Sequence, residues 1–368
     1  YSNEKVDKKV IKSIKKGINS TLNSFEEYKL AKKILSIDTF ADQVKFTRGG
    51  GEALSVAIRI ARAATDTKVI AFSGYHGWHD WYLSANLSSI KNLNNHLLKN
   101  LKPLGVPKGL KNLSVSFEFN NFDQLSKISK KNHISAVVVE PARFNYLTKD
   151  FVNKLNKFCK KNNVCLIVDE VTTGWRENIG GIYKKIGLKP DIVIYGKALG
   201  NGYAISAIVG KKKYMDAAQD TFISSVAWTE SIGFNSALAV IEEFKRKKIH
   251  KKITNLGKYV KKNWKKISEK HSLNLITSEV DSFPSFNFTY SKSKNEYLYT
   301  LFTELMLERG YVASNIFFIS SAHNLKCIKK YLKDFDDVFS KISISLKSNK
   351  KILKSKVRVY NYNRLTPS

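Results

Sequence analysis

The chain has 368 residues, of which 43% are hydrophobic and 12% aromatic, so it is long enough to bury a large core in one large and one smaller domain. It contains no run of about 18 apolar residues and no signal-like start, which argues against a membrane span or secretion. The net charge of +32 comes from dispersed lysines without a nucleic-acid-binding motif, so neither specific nucleic-acid binding nor membrane binding is expected.

Three cysteines, at 159, 165 and 327, lack the CxxC spacing of metal or redox sites. They are interpreted as reduced cysteines, which predicts a cytoplasmic protein.

The first elements of the chain end in a glycine-rich turn. Residues 4–16 and 25–35 have helical periodicity, with Ser24 as a candidate N-cap of the second helix. A strand at 44–47 then leads through Gly49–Gly51 to a helix at 54–64. Free backbone N–H groups and a helix dipole favour an anion such as phosphate, and an ordinary flexible turn is the alternative.

An aromatic stretch, GYHGWHDW, follows a strand at 68–72. His76 is expected to brace a site by hydrogen bonding, and Trp78 either lines a substrate pocket or is a core aromatic. His76, His79 and Asp80 alone are too few to predict a metal site.

The middle of the chain contains a polar stretch and then a buried strand. Residues 88–112 are predicted to be a long loop or mobile flap near the site. The strand at 136–139 ends in Glu140, which is expected to be structural more than catalytic. Arg143, beside it, could hold a substrate carboxylate or pair with Glu140. The candidate substrate-binding residues are Trp78, Arg143 and, next to Arg143, Glu140.

Two further apolar strands end in groups of complementary chemistry. The strand from Cys165 ends in Asp169, and Ile192–Ile194 is followed by Lys197, with room for one helix between them. A lone lysine where a buried strand ends is expected to be desolvated, and its neutral amine can form a Schiff base; a surface lysine is the alternative. A carboxylate that protonates a pyridine nitrogen and an amine that holds an aldehyde are what pyridoxal 5′-phosphate (PLP) needs, so Lys197 and Asp169 are the predicted catalytic residues.

The remaining predicted elements form a smaller C-terminal domain. They are helices at 234–255 and 258–271, strands at 273–277 and 285–290, a helix at 297–309, a strand at 311–319 and a last helix at 325–342.

The motifs IVDEVTTGWR (167–176) and PDIVIYGKALGNG (190–202) resemble those of class III aminotransferases, and specifically glutamate-1-semialdehyde aminomutases and similar transaminases of sugar biosynthesis. The resemblance runs over most of the chain. It implies the α/β fold type I of PLP-dependent transferases, with a large domain at 1–245 on a mostly parallel seven-stranded sheet and a smaller α+β domain at 246–368. The family's N-terminal segment is expected to be absent here.

The same resemblance assigns the other cofactor contacts. It implies that Tyr75 stacks on one face of the PLP ring and that Val171 packs on the other. Gly50 and Gly51 fall at the phosphate-contacting positions, with Gly51 standing where relatives often carry Thr. Asn145 corresponds to a residue near the phenolic oxygen of the cofactor.

In the family, the loop at 221–235 reaches the cofactor phosphate of the partner subunit, which implies a homodimer with a shared active site. Val226 replaces the usual phosphate-binding Thr, so Ser225 and Thr229 are the candidate donors.

The predicted function is a PLP-dependent transamination between an amino donor and an aldehyde or ketone acceptor, such as a precursor of a sugar or nonulosonate. The alternatives are an aminomutase that moves an amino group within one molecule, and an inactive PLP-fold or basic binding protein. The polar stretch at 88–112 lacks the Gly-Ser-Gly gate of true semialdehyde aminomutases, which argues against the first alternative.

Overall fold

The structure is a computed structural model in which residues 2–348 and 352–358 are described. Their contacts divide into two units: one comprises the residues up to Ala142 with Leu147–Lys248, and the other comprises Arg143–Tyr146 with the residues from Ile249 onward. The domain limits of 1–245 and 246–368 stay a prediction. Within the described residues, no helix is both long and apolar enough to cross a membrane.

The first unit is built on a seven-stranded sheet with the spatial order β1-β7-β6-β5-β4-β2-β3. Only β7 runs against the others, since it pairs antiparallel with both β1 and β6 and the remaining pairs are parallel. This confirms the predicted α/β fold with a mostly parallel sheet. The strands are β1 (Gln43–Thr47), β2 (Val69–Ser73), β3 (Ser114–Ser116), β4 (Ile134–Val139), β5 (Cys165–Asp169), β6 (Ile192–Tyr195) and β7 (Ser206–Gly210).

Every residue of β4, β5, β6 and β7 is buried. Strands covered on both faces are apolar at successive positions, which is why these short runs are recognisable in the sequence. The covering helices of this unit are α1 (Glu4–Lys16), α2 (Phe25–Leu35), α3 (Gly50–Thr65), α4 (Asp80–Leu83), α5 (Phe122–Lys131), α6 (Lys149–Lys161), α7 (Tyr183–Ile186), α8 (Lys212–Met215) and α9 (Ser231–Arg246).

The helix starts follow local capping. Ser24 Oγ accepts a hydrogen bond from the backbone N–H of Glu27 at 3.4 Å, which confirms the predicted N-cap of α2. α3 begins at Gly50, four residues before its predicted start, because Gly49 is its N-cap and the glycines form its first turn.

The loop at 88–112 contains a single short helix among the described residues, the 3-10 turn Lys108–Leu110. Leu93 and Leu98 are nevertheless buried in the core of the first unit, so the stretch is anchored and not wholly polar.

The direction of the strands explains where the functional residues meet. β1, β2, β4, β5 and β6 all point the same way, so the segments that follow their carboxyl ends lie along one edge of the sheet. Open α/β sheets bind ligands at this edge. The segments are the glycine turn, the aromatic stretch, Glu140, the end of β5 and Lys197 with its neighbours.

The second unit contains α10 (Ile249–Lys270), the antiparallel pair β8 (Leu275–Thr277) and β9 (Phe286–Phe288), α11 (Lys292–Leu307) and α12 (Leu325–Ser348). Its core is aromatic, with the ring of Phe286 in edge contact with those of Trp264, Phe335 and Phe339.

Two predicted elements of the C-terminal part are wrong. The predicted helix at 234–255 ends early, because the chain leaves the helical conformation at Lys248, whose φ is +49°. Its last residues belong to α10, which runs without a break from Ile249 to Lys270 and also contains most of the helix predicted at 258–271. The predicted strand at 311–319 makes only an isolated bridge between Ile316 and Ser285.

Candidate active site

A cavity of about 370 Å³ lies at the carboxyl edge of the sheet in the first unit. Its volume is within the range of about 300–1,000 Å³ that is typical of small-molecule and cofactor sites. Both predicted catalytic residues line it, together with several of the predicted cofactor contacts. The lining residues are Arg48, Gly50, Gly51, Leu54, Tyr75, His76, Gly77, Trp78, Asp169, Val171, Thr172, Lys197, Gly202, Tyr203, Ala204, Ile205 and Ser206.

Asp169 and His76 form a buried pair in this cavity. Asp169 ends β5 and is 4% exposed, and His76 is 1% exposed. His76 Nδ1 lies 2.7 Å from Asp169 Oδ2, and the Val171 backbone N–H donates to Asp169 Oδ1 at 3.0 Å. A buried carboxylate needs such partners, so the two contacts fix the position of Asp169 and keep it in the site.

Lys197 stands in a 3-10 turn, Lys197–Leu199, two residues after the end of β6. Its φ of +42° lies in the left-handed region, which costs a non-glycine residue about 1–3 kcal/mol and is typical of functional sites. Its Nζ donates a hydrogen bond to Thr172 Oγ1 at 2.9 Å. The expected desolvation of Lys197 is wrong, because the turn carries the residue beyond the buried end of the strand, where it is exposed and lines the cavity.

The glycine turn forms a wall of the cavity that has no side chains. A Cβ on Gly50 would lie 2.9 Å from both γ-carbons of Val171, and one on Gly51 would lie 2.7 Å from His79 Nδ1. A side chain at either position would therefore have to displace Val171 or His79. Since the first N–H groups of a helix lack intrahelical partners, the start of α3 presents donors suited to an anion such as phosphate.

The loop that carries Tyr75 is held by buried polar contacts. Glu140 is 3% exposed, and its Oε2 accepts the backbone N–H of Tyr75 at 2.9 Å. His96 Nδ1 accepts the N–H of Gly74 at 3.1 Å, and Gly74 adopts a φ of +122°. Glu140 thus acts on the backbone of this loop, and it does not line the cavity.

Arg48 is a site residue that the sequence interpretation missed. Its Nε donates to the carbonyl oxygen of Ala227 at 2.6 Å, Nη2 to that of Glu230 at 2.7 Å and Nη1 to that of Ala204 at 3.2 Å. It also forms an ion pair with the Glu230 carboxylate at 3.2 Å. The only sequence signal for this role was an arginine directly before a glycine turn. The partners of Arg48 lie more than 150 residues away in the chain, so the sequence did not indicate them.

Glu52 completes this arrangement from the first turn of α3. Its Oε2 accepts the N–H groups of Arg48 and Gly49 at 2.9 and 3.1 Å, and its Oε1 accepts the Trp228 indole N–H at 3.0 Å. Although burial acts to raise it, these hydrogen bonds hold the pKa of Glu52 below its ordinary value. Arg48 and Glu52 together attach the segment at 226–230 to the glycine turn.

Trp78 is 71% exposed and lines the cavity, so it is not a core aromatic. Its ring stacks on that of His79 with centroids 4.3 Å apart. Burial lowers the pKa of His79, against the opposing effects of Glu52 and Asp80. Across the described residues, no group of three His, Cys, Asp or Glu side chains is placed to hold a metal ion.

Four predicted contact residues are not among those that line the cavity. Thr229 Oγ1 donates to Asn19 Oδ1 at 2.9 Å, and neither Thr229 nor Ser225 lines the cavity. Arg143 and Asn145 belong to the second unit, where the Arg143 N–H donates to the Asn145 carbonyl oxygen at 3.2 Å. Their predicted roles stay predictions.

The residues present fit PLP. One cavity brings together an amine, a hydrogen-bonded buried carboxylate and a glycine wall at a helix start, where a Cβ would close the space. A fold type I sheet with these groups at its carboxyl edge defines a PLP-dependent transferase.

The chain belongs to the class-III aminotransferase family, whose profile, Aminotransferase class-III, matches residues 1–310. It is therefore a PLP-dependent transaminase, with a small-molecule amino donor and a carbonyl acceptor as substrates.

Named relatives carry two different activities. The chain is 32% identical over 328 residues to glutamate-1-semialdehyde 2,1-aminomutase of Sulfolobus acidocaldarius, covering 84% of this chain and 77% of that protein. It is 27% identical over 369 residues to 3-aminobutyryl-CoA aminotransferase of Cloacimonas acidaminovorans, covering 96% and 83%. The fold is similar to the PLP internal aldimine form of Sphingopyxis sp. MTA144 FumI protein, with a TM-score of 0.84, 22% identity and coverage of 95% and 82%.

Proposed function

We propose that the cavity at the carboxyl edge of the sheet is the transamination site, with Lys197 holding the aldehyde carbon of PLP and Asp169 its pyridine nitrogen. The observation that carries this proposal is that both residues line the same cavity as the glycine turn. Bound PLP supplies an electron sink for the bonds of the substrate α-carbon.

The residues of the chain divide the remaining work. Lys197, exposed on a flexible stem, moves the proton at the α-carbon as a general base and acid. Asp169, braced by His76, holds its carboxyl group at a fixed point. Tyr75 and Val171 flank the cofactor ring, and the N–H groups of Gly50 and Gly51 bind its phosphate. We propose Asn145 as the neighbour of its phenolic oxygen.

For the acceptor we propose a sugar or nonulosonate precursor with a carbonyl group. The support is the aromatic stretch GYHGWHDW, in which Trp78 presents an exposed ring to the cavity. Aromatic faces pack well on the apolar faces of sugar rings. Arg143 is the proposed partner of a substrate carboxylate, and Glu140 contributes by positioning Tyr75.

We also propose a homodimer in which Ser225 and Thr229 reach the cofactor phosphate of the partner subunit. The segment around them exposes apolar side chains, since Phe222 is 87% and Val226 74% exposed. Large apolar side chains exposed in one short segment suit a protein interface. Sedimentation equilibrium checks the assembly, and a monomer at micromolar concentration rejects it.

A cytoplasmic location is part of the proposal. All three cysteines are free, and Cys159 and Cys165 are buried, which suits a reducing compartment. Fractionation of native cells tests it, and recovery of the protein outside the cytoplasm rejects it.

An aminomutase is the second candidate, because it is the activity of a relative at 32% identity. The two functions differ in their need for an external amino donor. Incubation with an amino-aldehyde alone gives product from an aminomutase, whereas a transaminase gives product only when an external amino donor is also present.

The site assignment is tested by Lys197→Ala. The wild type, loaded with PLP, is expected to show an absorbance band at about 410–430 nm, and the variant to lack it while it stays folded. Lys189→Ala is the matched control, because Lys189 is exposed near the opposite end of β6. A band that survives in Lys197→Ala refutes the assignment.

A further inference from the structure

The hydroxyl of Thr172 contacts the amine of Lys197. Lys197 Nζ lies 2.9 Å from Thr172 Oγ1, and both residues line the cavity. The two are 25 residues apart in the chain and meet because their strands, β5 and β6, are parallel neighbours whose carboxyl ends share one edge.

The backbone around Thr172 is fixed on both sides. The N–H of Val171 donates to Asp169 Oδ1 at 3.0 Å, and the N–H of Gly174 donates to the Glu170 carbonyl oxygen at 2.7 Å, which closes a tight turn. Arg176 Nε donates to the carbonyl oxygen of Thr172 itself at 2.7 Å. The position of the hydroxyl is thus set by the same turn that holds the buried carboxylate.

We propose that Thr172 is a positioning residue for Lys197, which keeps the amine directed into the cavity in both of its protonation states. A hydroxyl group can accept a hydrogen bond from an ammonium group and can donate one to the lone pair of a neutral amine. A general base alternates between the protonated and the neutral state during proton transfer. A partner that could only accept, or only donate, a hydrogen bond would contact the amine in just one of these two states. This inference rests on the proposed role of Lys197.

Thr173 provides a matched control in the next position. Its hydroxyl donates to Glu170 Oε2, it is buried, and it does not line the cavity. Removing this hydroxyl tests the stability of the turn without removing the contact to Lys197.

The experiment compares Thr172→Val, Thr172→Ser and Thr173→Val. Valine has nearly the shape of threonine without the hydroxyl, and serine keeps the hydroxyl. Uptake of PLP by the cofactor-free protein is followed by visible absorbance, and kcat and KM for the amino donor are measured on the loaded enzyme.

Thr172→Val is expected to slow PLP uptake and to lower kcat by about tenfold each, the size of one ordinary hydrogen bond, with KM within about twofold of the wild type. Thr172→Ser is expected to restore both rates, and Thr173→Val to leave both rates near the wild type. Thr172→Ala, compared with Thr172→Ser, gives the same test should the valine variant fold poorly.

Wild-type rates in Thr172→Val, or an equal loss in the serine variant, overturn the inference while the role of Lys197 stands. An absorbance band that survives in Lys197→Ala overturns the proposed function itself, and the positioning role then falls with it. The two failures are therefore distinguishable.

Discussion

The buried pair of His76 and Asp169 gives a direct test of how the site holds its negative charge. His76→Leu removes the ring nitrogen that lies 2.7 Å from Asp169 Oδ2, and leaves the Val171 N–H in place. His76→Asn removes the ring but keeps a side-chain N–H at a similar distance from the backbone. The two variants thus separate the lost hydrogen bond from the lost ring.

The size of the effect follows from burial. His76 and Asp169 are 1% and 4% exposed, so water does not replace the lost bond. A hydrogen bond to an ionised group contributes about 1.5–3 kcal/mol, and each 1.4 kcal/mol or so is a factor of ten in affinity. The affinity of His76→Leu for PLP is expected to fall about 10- to 150-fold, because the carboxylate that is proposed to hold the pyridine nitrogen loses one of its two hydrogen bonds.

The assay is titration of the cofactor-free protein with PLP, followed by visible absorbance. His76→Asn is expected to bind PLP within a few-fold of the wild type. A second His–Asp pair, His271 Nε2 to Asp336 Oδ1 at 2.6 Å, lies in the second unit, so His271→Leu controls for loss of such a pair in general. Wild-type PLP affinity in His76→Leu would refute the bracing role.

Two further predictions concern the glycine wall and a buried acid. Gly51→Thr is expected to weaken PLP binding tenfold or more, because its Cβ would lie 2.7 Å from His79 Nδ1, and the added change His79→Ala is expected to recover most of the affinity in the same titration. Burial raises the pKa of Glu170 from 4.5 to about 7, so the folded state keeps a proton that the unfolded state loses over that pH window. Stability should therefore fall by about 3 kcal/mol as pH rises from 4.5 to 7, and Glu170→Gln should remove this slope in urea unfolding curves.

Each of these predictions has a contradicting result. For the glycine wall, the contradicting result is a Gly51→Thr/His79→Ala double variant that binds PLP no more tightly than Gly51→Thr alone. The steric conflict would then not be with His79. For the acid, it is a pH slope that persists unchanged in Glu170→Gln, which would mean that Glu170 is ionised in the folded protein. Thr173 and the Tyr183 N–H both donate to this carboxyl group, so glutamine keeps acceptor capacity for one of them.

The central strands were predictable because each is a short apolar run that ends in a chemically distinct residue. β5 and β6 are buried on both faces, so their sequences lack the alternation of a half-exposed strand and stand out from their polar neighbours. An acid after one strand and an amine after a parallel neighbour have to meet at one edge of the sheet. Asp169 and Lys197 accordingly line the same cavity.

The contacts that complete the site were not predictable from one sequence. Arg48 and Glu52 bind a segment about 180 residues further along, and no local pattern records a partner at that distance. The 2.9 Å contact between Thr172 and Lys197 depends on the register of β5 and β6, which strand propensities do not specify. The break at Lys248 is equally hidden, because helical periodicity continues through it.

The settings of Asp169 and Lys197 agree with the proposed division of labour in the site. Asp169 has to stay at one point throughout a reaction cycle, and it is buried with both oxygens hydrogen-bonded. In the proposed role, Lys197 would hold the aldehyde carbon of PLP and would carry the proton of the substrate α-carbon, so its amine needs a side chain that can change position. The Lys197 amine stands at the tip of a four-carbon side chain that begins in a strained turn. It is hydrogen-bonded to the Thr172 hydroxyl, and such a single contact can break and form again. The strained backbone at Lys197 thus fixes where the side chain begins, and the four-carbon side chain lets the amine change position.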